Sequence, residues 1–303
     1  MNLRYVLVDV FADRPLAGNP LAVFPDASGA DDETLQLVAR EMDHAATAFL
    51  LPSSLPGAQF RLRIFSRERE IPFAGHPALG AHYVHATETR RPLTEPVIRV
   101  AHEGKGGLFE VELLTEGGRI VQLRLTQRLP EIGRKLGPEE IGRVAEALGL
   151  AEAEIQATNQ PVRVASTGLP VLIVPVATLA ALSAARPRYG LLRDLLEGTD
   201  ATLVYAFTKE TCEARSAAHA RAFDVLGSVE VPGAGAAAGA LGAYLVAHSA
   251  VTIQPVTALA IEQGRCVNRP STIYIEVDLD GSEIVRVVMG GRVVRVGEGR
   301  LEI

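Results

Sequence analysis

Apolar and polar side chains alternate through Phe60-Arg61-Leu62-Arg63-Ile64, the two-residue period of a strand with one buried face. The same period returns near 97–101, 108–114 and 119–125. Apolar and β-branched runs at 5–11, 21–24 and 47–51 also read as strands, punctuated by the turn signals Asp13-Arg14-Pro15 and Gly18-Asn19-Pro20. Twice the helical period takes over. Asp31-Asp32-Glu33 opens one helix, with acids where they favour the positive end of the macrodipole, and Leu35, Val38, Ala39 and Met42 form its apolar face. A second helix is expected from Gly75 to about Ala86, with Gly75 supplying backbone freedom and Pro77 fitting the first turn.

Turn-formers crowd 129–137, which reads as a crossover between two lobes. Beyond it the pattern predicts a helix over 138–148, strands near 161–166 and 171–176, and two short helices between 177 and 197. Strands follow near 202–207 and 217–223. A Gly-rich turn at 231–235 leads into a helix ending near His248, and 272–303 reads as strands joined by Asp-Gly, Gly-Gly and Gly-Glu-Gly turns. Ala78-Leu79-Gly80-Ala81 in one half is matched by Ala240-Leu241-Gly242-Ala243 in the other. Duplication and a coincidence of helix packing explain so short a match about equally well. Either way, each half has a Gly-led helix N-terminus, whose first N–H groups lack partners and suit an anion such as a carboxylate.

Composition narrows the classes. With 303 residues the length prior favours two domains, each large enough for its own core. The net charge of −6 comes with arginines interleaved among acids, as in Arg67-Glu68-Arg69-Glu70, and no basic stripe of a nucleic-acid binder is present. The stretch 231–247, free of charge and rich in Gly and Ala, is short of the roughly 20 residues of a membrane span. The N-terminus enters a strand pattern directly, so no signal peptide is expected. Cys212 and Cys266 form neither a CxxC pair nor a cluster of metal-ligand spacing, so no metal is expected. Both are read as buried, reduced thiols, which suits a cytoplasmic protein. There is no P-loop, and Gly233-Ala234-Gly235 lacks the dinucleotide-binding frame, so no cofactor is expected either.

Four segments in order carry a resemblance: DVFADRPLAGNPLAVF (9–24), RIFSREREIPFAGHPALGAH (63–82), GALGAYLV (239–246) and EQGRCVNRPS (262–271). Together they resemble the phenazine-biosynthesis PhzF-like family over nearly the whole chain. The resemblance implies the α+β diaminopimelate-epimerase-like fold: two pseudo-symmetric lobes, each a bent antiparallel sheet around a central helix, with the active site in the cleft between them. The N-terminal lobe is then expected at 1–125, completed by a strand near 292–303, and the C-terminal lobe at 126–291. It further implies a homodimer and cofactor-independent isomerase or epimerase chemistry on a small carboxylate. Related racemases use two cysteines, which would fall near Ala74-Gly75 and Ala234-Gly235. Neither Cys212 nor Cys266 is adjacent, and two-thiol racemisation is set aside.

The family's catalytic Glu lies in a Ser-Glu-Thr-Thr-Phe-like motif. The matching segment is Ala45-Ala46-Thr47-Ala48-Phe49, which puts Ala46 at the acidic position. The second lobe's Glu-Asp-Pro-Ala-Thr-Gly-Ser-like motif appears as Glu230-Val231-Pro232-Gly233-Ala234-Gly235-Ala236, with Val231 for the Asp and Ala236 for the Ser. Neither alanine nor valine carries a proton. His76 keeps its family position, either as a carboxylate-binding or acid/base group with a reference pKa of about 6.5, or as a cap of the helix turn. Asp43, His44 and Glu230 are the nearby polar groups, each weighed against a plain helix-end or loop role. His44 is the one that could pair with His76. Substrate contacts are assigned to Gly75, Asn19, Gly235 and Ala236, with Asn19 holding its turn through local side-chain bonds. Gly264 and Arg269 read as framework, a turn and a strand start.

Three functions stay open: an isomerase with His76 and His44 in place of the Glu, a different isomerase or hydrolase reaction on the same scaffold, and a non-catalytic homologue that binds a carboxylate ligand.

Overall fold

A computed structural model describes residues 1–71 and 75–303, which divide into two compact units. Unit 1 comprises Met1–Thr126 and Gly290–Ile303, and unit 2 comprises Gln127–Met289.

Unit 1 runs β1 (Asn2–Val10), β2 (Asn19–Phe24), α1 (Asp32–Met42), β3 (Thr47–Leu51), β4 (Arg61–Phe65), β5 (Glu70–Ile71), α2 (Gly75–Glu88), β6 (Val97–Gly104), β7 (Gly107–Glu116) and β8 (Arg119–Thr126). β1 pairs antiparallel with β2 in a register that sets Val10 opposite Asn19. β2 then pairs parallel with β3, and β3 antiparallel with β4. The expected alternation is realised in β6–β7–β8, an antiparallel meander.

Asp31 is the N-cap of α1 and accepts the Thr34 N–H at 2.9 Å, so the acidic start predicted for this helix is also its cap. Leu35, Val38 and Ala39 bury against Phe24, Phe49 and Phe65. Phe24 stacks on Phe49 at 4.9 Å, and Phe49 meets Phe65 edge-on at 5.5 Å. α2 is enclosed differently. Ala78, Leu79, Ala81 and Val84 are all buried, because β1, β2, β3, β4, β7 and β8 wrap around it. Such a helix needs small residues where the sheet comes closest. A Cβ on Gly80 would stand 2.3 Å from Leu21 Cδ2.

Unit 2 runs β9 (Glu131–Lys135), α3 (Pro138–Leu148), α4 (Glu152–Gln156), β10 (Arg163–Ser166), β11 (Pro170–Pro175), α5 (Leu179–Ala184), α6 (Tyr189–Leu196), β12 (Leu203–Thr208), β13 (Ala218–Asp224), β14 (Val229–Val231), α7 (Gly235–Ala247), β15 (Val256–Gln263), a 3₁₀ turn (Arg265–Val267), β16 (Ser271–Asp280) and β17 (Glu283–Gly291). β18 (Val293–Glu302) lies in unit 1 and pairs antiparallel with β1 along its whole length. α7 is buried nearly all round and packs on β10, β11, β15 and β16. Gly242 repeats the role of Gly80, since its Cβ would stand 2.6 Å from Ile275 Cγ2. In both halves the matched tetrapeptide therefore marks a close helix–sheet approach that leaves no room for a Cβ. Val144, Leu148, Leu192, Val174, Val204 and Phe223 form a further core between α3, α6 and the sheet.

The structure corrects four expectations. Residues 131–135, expected as part of a turn-rich crossover, form β9 paired with β10. Four of these five side chains are exposed, so burial leaves little apolar alternation to read. Asn19 does not sit in the turn but opens β2, fully buried. Arg269 precedes the start of β16 at Ser271. Cys212 and Cys266 are exposed, not buried, because one lies in the β12–β13 loop and the other in the 3₁₀ turn.

Candidate active site

In unit 1, Asp43 ends α1 in the left-handed conformation (φ 52°) and its carboxylate pairs with Arg67 at 3.0 Å, exposed to solvent. That is the plain helix-end role. The chain then passes through half-buried His44 and exposed Ala45 to buried Ala46 and the start of β3. α2 begins nearby with Gly75, His76 and Pro77. Ala74 lies outside the described residues.

His76 is partly exposed as a residue, but its Nε2 is enclosed and makes no hydrogen bond among the described residues. Burial pushes its imidazole down to about 3, and His44 lies close enough for its charge to oppose protonation further. The structure thus brings the two histidines together. It also corrects the expectation that His76 titrates near neutrality: it is a neutral imidazole across the physiological range, with one nitrogen a donor and the other an acceptor.

A second histidine group supports α2 from behind. His82 Nε2 meets His102 Nδ1 at 3.0 Å, with Phe60 packed against His82, His85 and His102, and Phe109 stacked on His102 at 5.6 Å. Burial holds His82 well below its ordinary value and brings His102 down to about 4. Two neutral rings share one proton comfortably; two cations would repel. Asp9, also buried, accepts the Leu16 N–H at 2.7 Å and so anchors the loop before β2.

Unit 2 holds the other helix start. Ala234 is the N-cap of α7 and offers no side-chain bond to the first N–H groups. What fixes this turn is a glutamine. Gln263 Nε2 donates to the Val231 carbonyl at 2.6 Å, while its Oε1 accepts from the Ala234 N–H at 3.2 Å and the Tyr205 hydroxyl at 2.9 Å. Next to it Gly264 takes φ +78°, with Pro232 and Arg269 carbonyls so close that a Cβ would stand 2.5 and 2.2 Å from them. Gln127 Nε2 donates to the Gly235 carbonyl at 3.1 Å, and Thr167 Oγ1 donates to Gln127 Oε1 at 2.9 Å. Gly235 is buried, and Ala236 is half-buried with its carbonyl 3.2 Å from Thr167 Oγ1.

Glu230 is occupied. Arg221 donates to both of its oxygens, at 3.1 and 2.7 Å, and holds the Leu182 and Ala185 carbonyls with the same guanidinium. It is therefore neither the solvated loop residue expected nor a ready base.

Gln263, Gln127 and Thr167 were not singled out from sequence. The signal for Gln263 was polar Glu262-Gln263 at the end of the apolar strand β15, where a buried amide must find partners. Gln127 and Thr167 carry no local signal.

A family model described as phenazine biosynthesis-like protein matches residues 8–299. An uncharacterized isomerase of Mesorhizobium japonicum is 34% identical over 99% of both chains. The trans-2,3-dihydro-3-hydroxyanthranilate isomerase of Pseudomonas aeruginosa is 31% identical over 98% of both. Among solved structures, a PhzF-family phenazine biosynthesis protein of Bacillus anthracis covers 100% of both chains at 25% identity with a TM-score of 0.89.

Proposed function

The chain belongs to the phenazine biosynthesis-like protein family, and we propose that it is a cofactor-independent isomerase or epimerase of a small carboxylate in which imidazoles replace the missing carboxylate. The observation that carries this reading is the enclosed Nε2 of His76 at the start of α2, which meets no hydrogen-bond partner among the described residues, beside His44. A buried polar atom without a partner is costly and marks a place that a ligand fills.

The roles follow from the chemistry of each group. A substrate carboxylate meets the unpaired first N–H groups of a helix, at Gly75 in one unit or Gly235 and Ala236 in the other. Neutral His76 donates or accepts one hydrogen bond and steadies charge that develops on an enolate-like oxygen, the part a desolvated imidazole at a helix N-terminus is suited to. Half-exposed His44 exchanges protons with water and is the carrier. Ala46 in one unit and Val231 in the other, at the family's acidic positions, carry no group that moves a proton. Asn19 stands buried at the start of β2 and supports the site's frame. A homodimer in the cytoplasm belongs to the same proposal.

A second reading is favoured by one observation: Ala46, Val231 and Ala236 are apolar and Glu230 is tied to Arg221. On that reading the protein binds a carboxylate without transforming it.

The test is deuterium incorporation from solvent, followed by NMR, into trans-2,3-dihydro-3-hydroxyanthranilate and simpler enolisable carboxylates. Exchange by the protein as it stands, lost in both His44→Gln and His76→Gln, supports imidazole chemistry. Exchange that begins only with Ala46→Glu and Val231→Asp sinks that chemistry and leaves the binding reading.

A further inference from the structure

We propose that Cys212, His219 and Glu262 form a binding site for a zinc-class divalent cation, tying the β12–β13 loop to strand β15. One ligand atom from each residue lies within 4.8 Å of the others. A tetrahedral zinc bound at about 2.0–2.3 Å sets its ligands roughly 3.3–3.8 Å apart, so a small turn of Cys212 must bring the thiol in and the His219–Glu262 pair, 2.9 Å apart, must open by a few tenths of an ångström. That turn is open to it, because Cys212 is exposed while His219 and Glu262 are buried.

Tertiary structure assembles the site. β13 and β15 run parallel with His219 directly opposite Glu262, and His219 Nδ1 lies 2.9 Å from Glu262 Oε2. The Cys212 N–H donates to the same Oε2 at 3.0 Å and the Glu213 N–H to Oε1 at 2.6 Å, which folds the loop back and brings the thiol to the pair. Metal-ligand spacing is not legible along the chain, because Glu262 lies 43 residues from His219 and comes beside it only through the β13–β15 pairing.

The donor set discriminates among ions. Thiolate plus imidazole plus carboxylate suits zinc or cobalt, and excludes magnesium and calcium, which want oxygen alone. Three protein ligands with one facing solvent leave the fourth position to water. The charges nearby are Glu262, Glu213 and Arg265, with Arg265 paired to Glu213 at 3.0 Å. Slight burial and the two carboxylates push the Cys212 thiol up against the opposing pull of Arg265, so it is not poised as a nucleophile. On binding, the thiol proton leaves to solvent and the cation takes its place between sulfur and the His219–Glu262 pair. No redox step is involved.

The experiment uses the full-length protein, stripped of metal by chelator and kept reduced with a phosphine. Cobalt is titrated in, zinc is added in competition, and retained zinc is measured by mass spectrometry after gel filtration. The expected result is about one equivalent of zinc and a thiolate-to-cobalt charge-transfer band. Cys212→Ala should abolish the band and weaken binding roughly 100-fold or more, while Cys266→Ala leaves both unchanged. Because Cys212 is exposed, its variant retains the fold, which circular dichroism verifies. Absence of the band in the reduced wild type would overturn the proposal, as would binding that survives Cys212→Ala.

Discussion

Gln263, at the end of β15, donates its Nε2 N–H to the Val231 carbonyl at 2.6 Å, so the end of β14 is fixed by an amide on the next strand of the chain. The same amide accepts from Ala234 and Tyr205. Gln263→Leu strands a buried carbonyl, an N–H and a hydroxyl together. We expect a loss of about 2–4 kcal/mol in urea unfolding, and a larger fall in any substrate binding than in far-UV ellipticity, because the turn before α7 loosens first.

Gly239 faces Gln127 so closely that a Cβ would stand 1.7 Å from Oε1. Gly239→Ala must expel that amide and break its bonds to Gly235 and Thr167. The expected cost is about 1–3 kcal/mol by thermal unfolding. Adding Gln127→Ala to the same protein should recover part of it, since the clash then disappears.

Acid should destabilise the protein through its buried histidines. In the folded state His76 is pushed down to about 3 and His102 to about 4, with His82 also well depressed, while the unfolded chain protonates near 6.5. The unfolded state therefore binds more protons below pH 6.5. Stability is fully present above that value and falls as pH drops towards the folded values, by at most about 1.4 kcal/mol per pH unit for each group. Urea unfolding from pH 7 to pH 4.5 reads the slope. His82→Phe/His102→Phe, which keeps the ring stack, should flatten it.

Glu230 and Arg221 form a mostly buried pair in which the guanidinium also holds two carbonyls. Glu230→Gln leaves that charge without its counter-ion and should cost about 3 kcal/mol. If Glu230 has the purely structural role argued above, solvent-deuterium exchange per folded molecule stays unchanged. A complete loss of exchange in a folded variant would make it the base.

Ala46 is buried at the head of β3. Ala46→Glu should lower stability, because a carboxylate is desolvated there, and should raise exchange by about 10²–10⁴-fold if proton transfer is what limits it. Absence of exchange in both the unmodified protein and a folded Ala46→Glu protein would mean that the site does not accept such substrates.

Most elements were legible in the sequence because their cause is local. Alternation at Phe60–Ile64 predicts a strand, and Asp31 with Leu35, Val38 and Ala39 predicts a capped, one-sided helix, since neighbours along the chain set burial period and capping. Gly80 and Gly242 were visible as a repeat, though their reason, the approach of Leu21 and Ile275, was not. β9 was missed because an exposed edge strand leaves little apolar signal.

The sequence by itself determined the order of most elements, the two Gly-led helix starts and the apolar residues at Ala46 and Val231. Tertiary structure alone decided the state of the site. Burial and a neighbour that is not adjacent in sequence make His76 a neutral imidazole, Arg221 removes Glu230 from service, and a parallel strand pair sets His219 against Glu262. Protonation and hydrogen bonding depend on solvent access and on contacts between distant segments, and neither exists until the chain has folded.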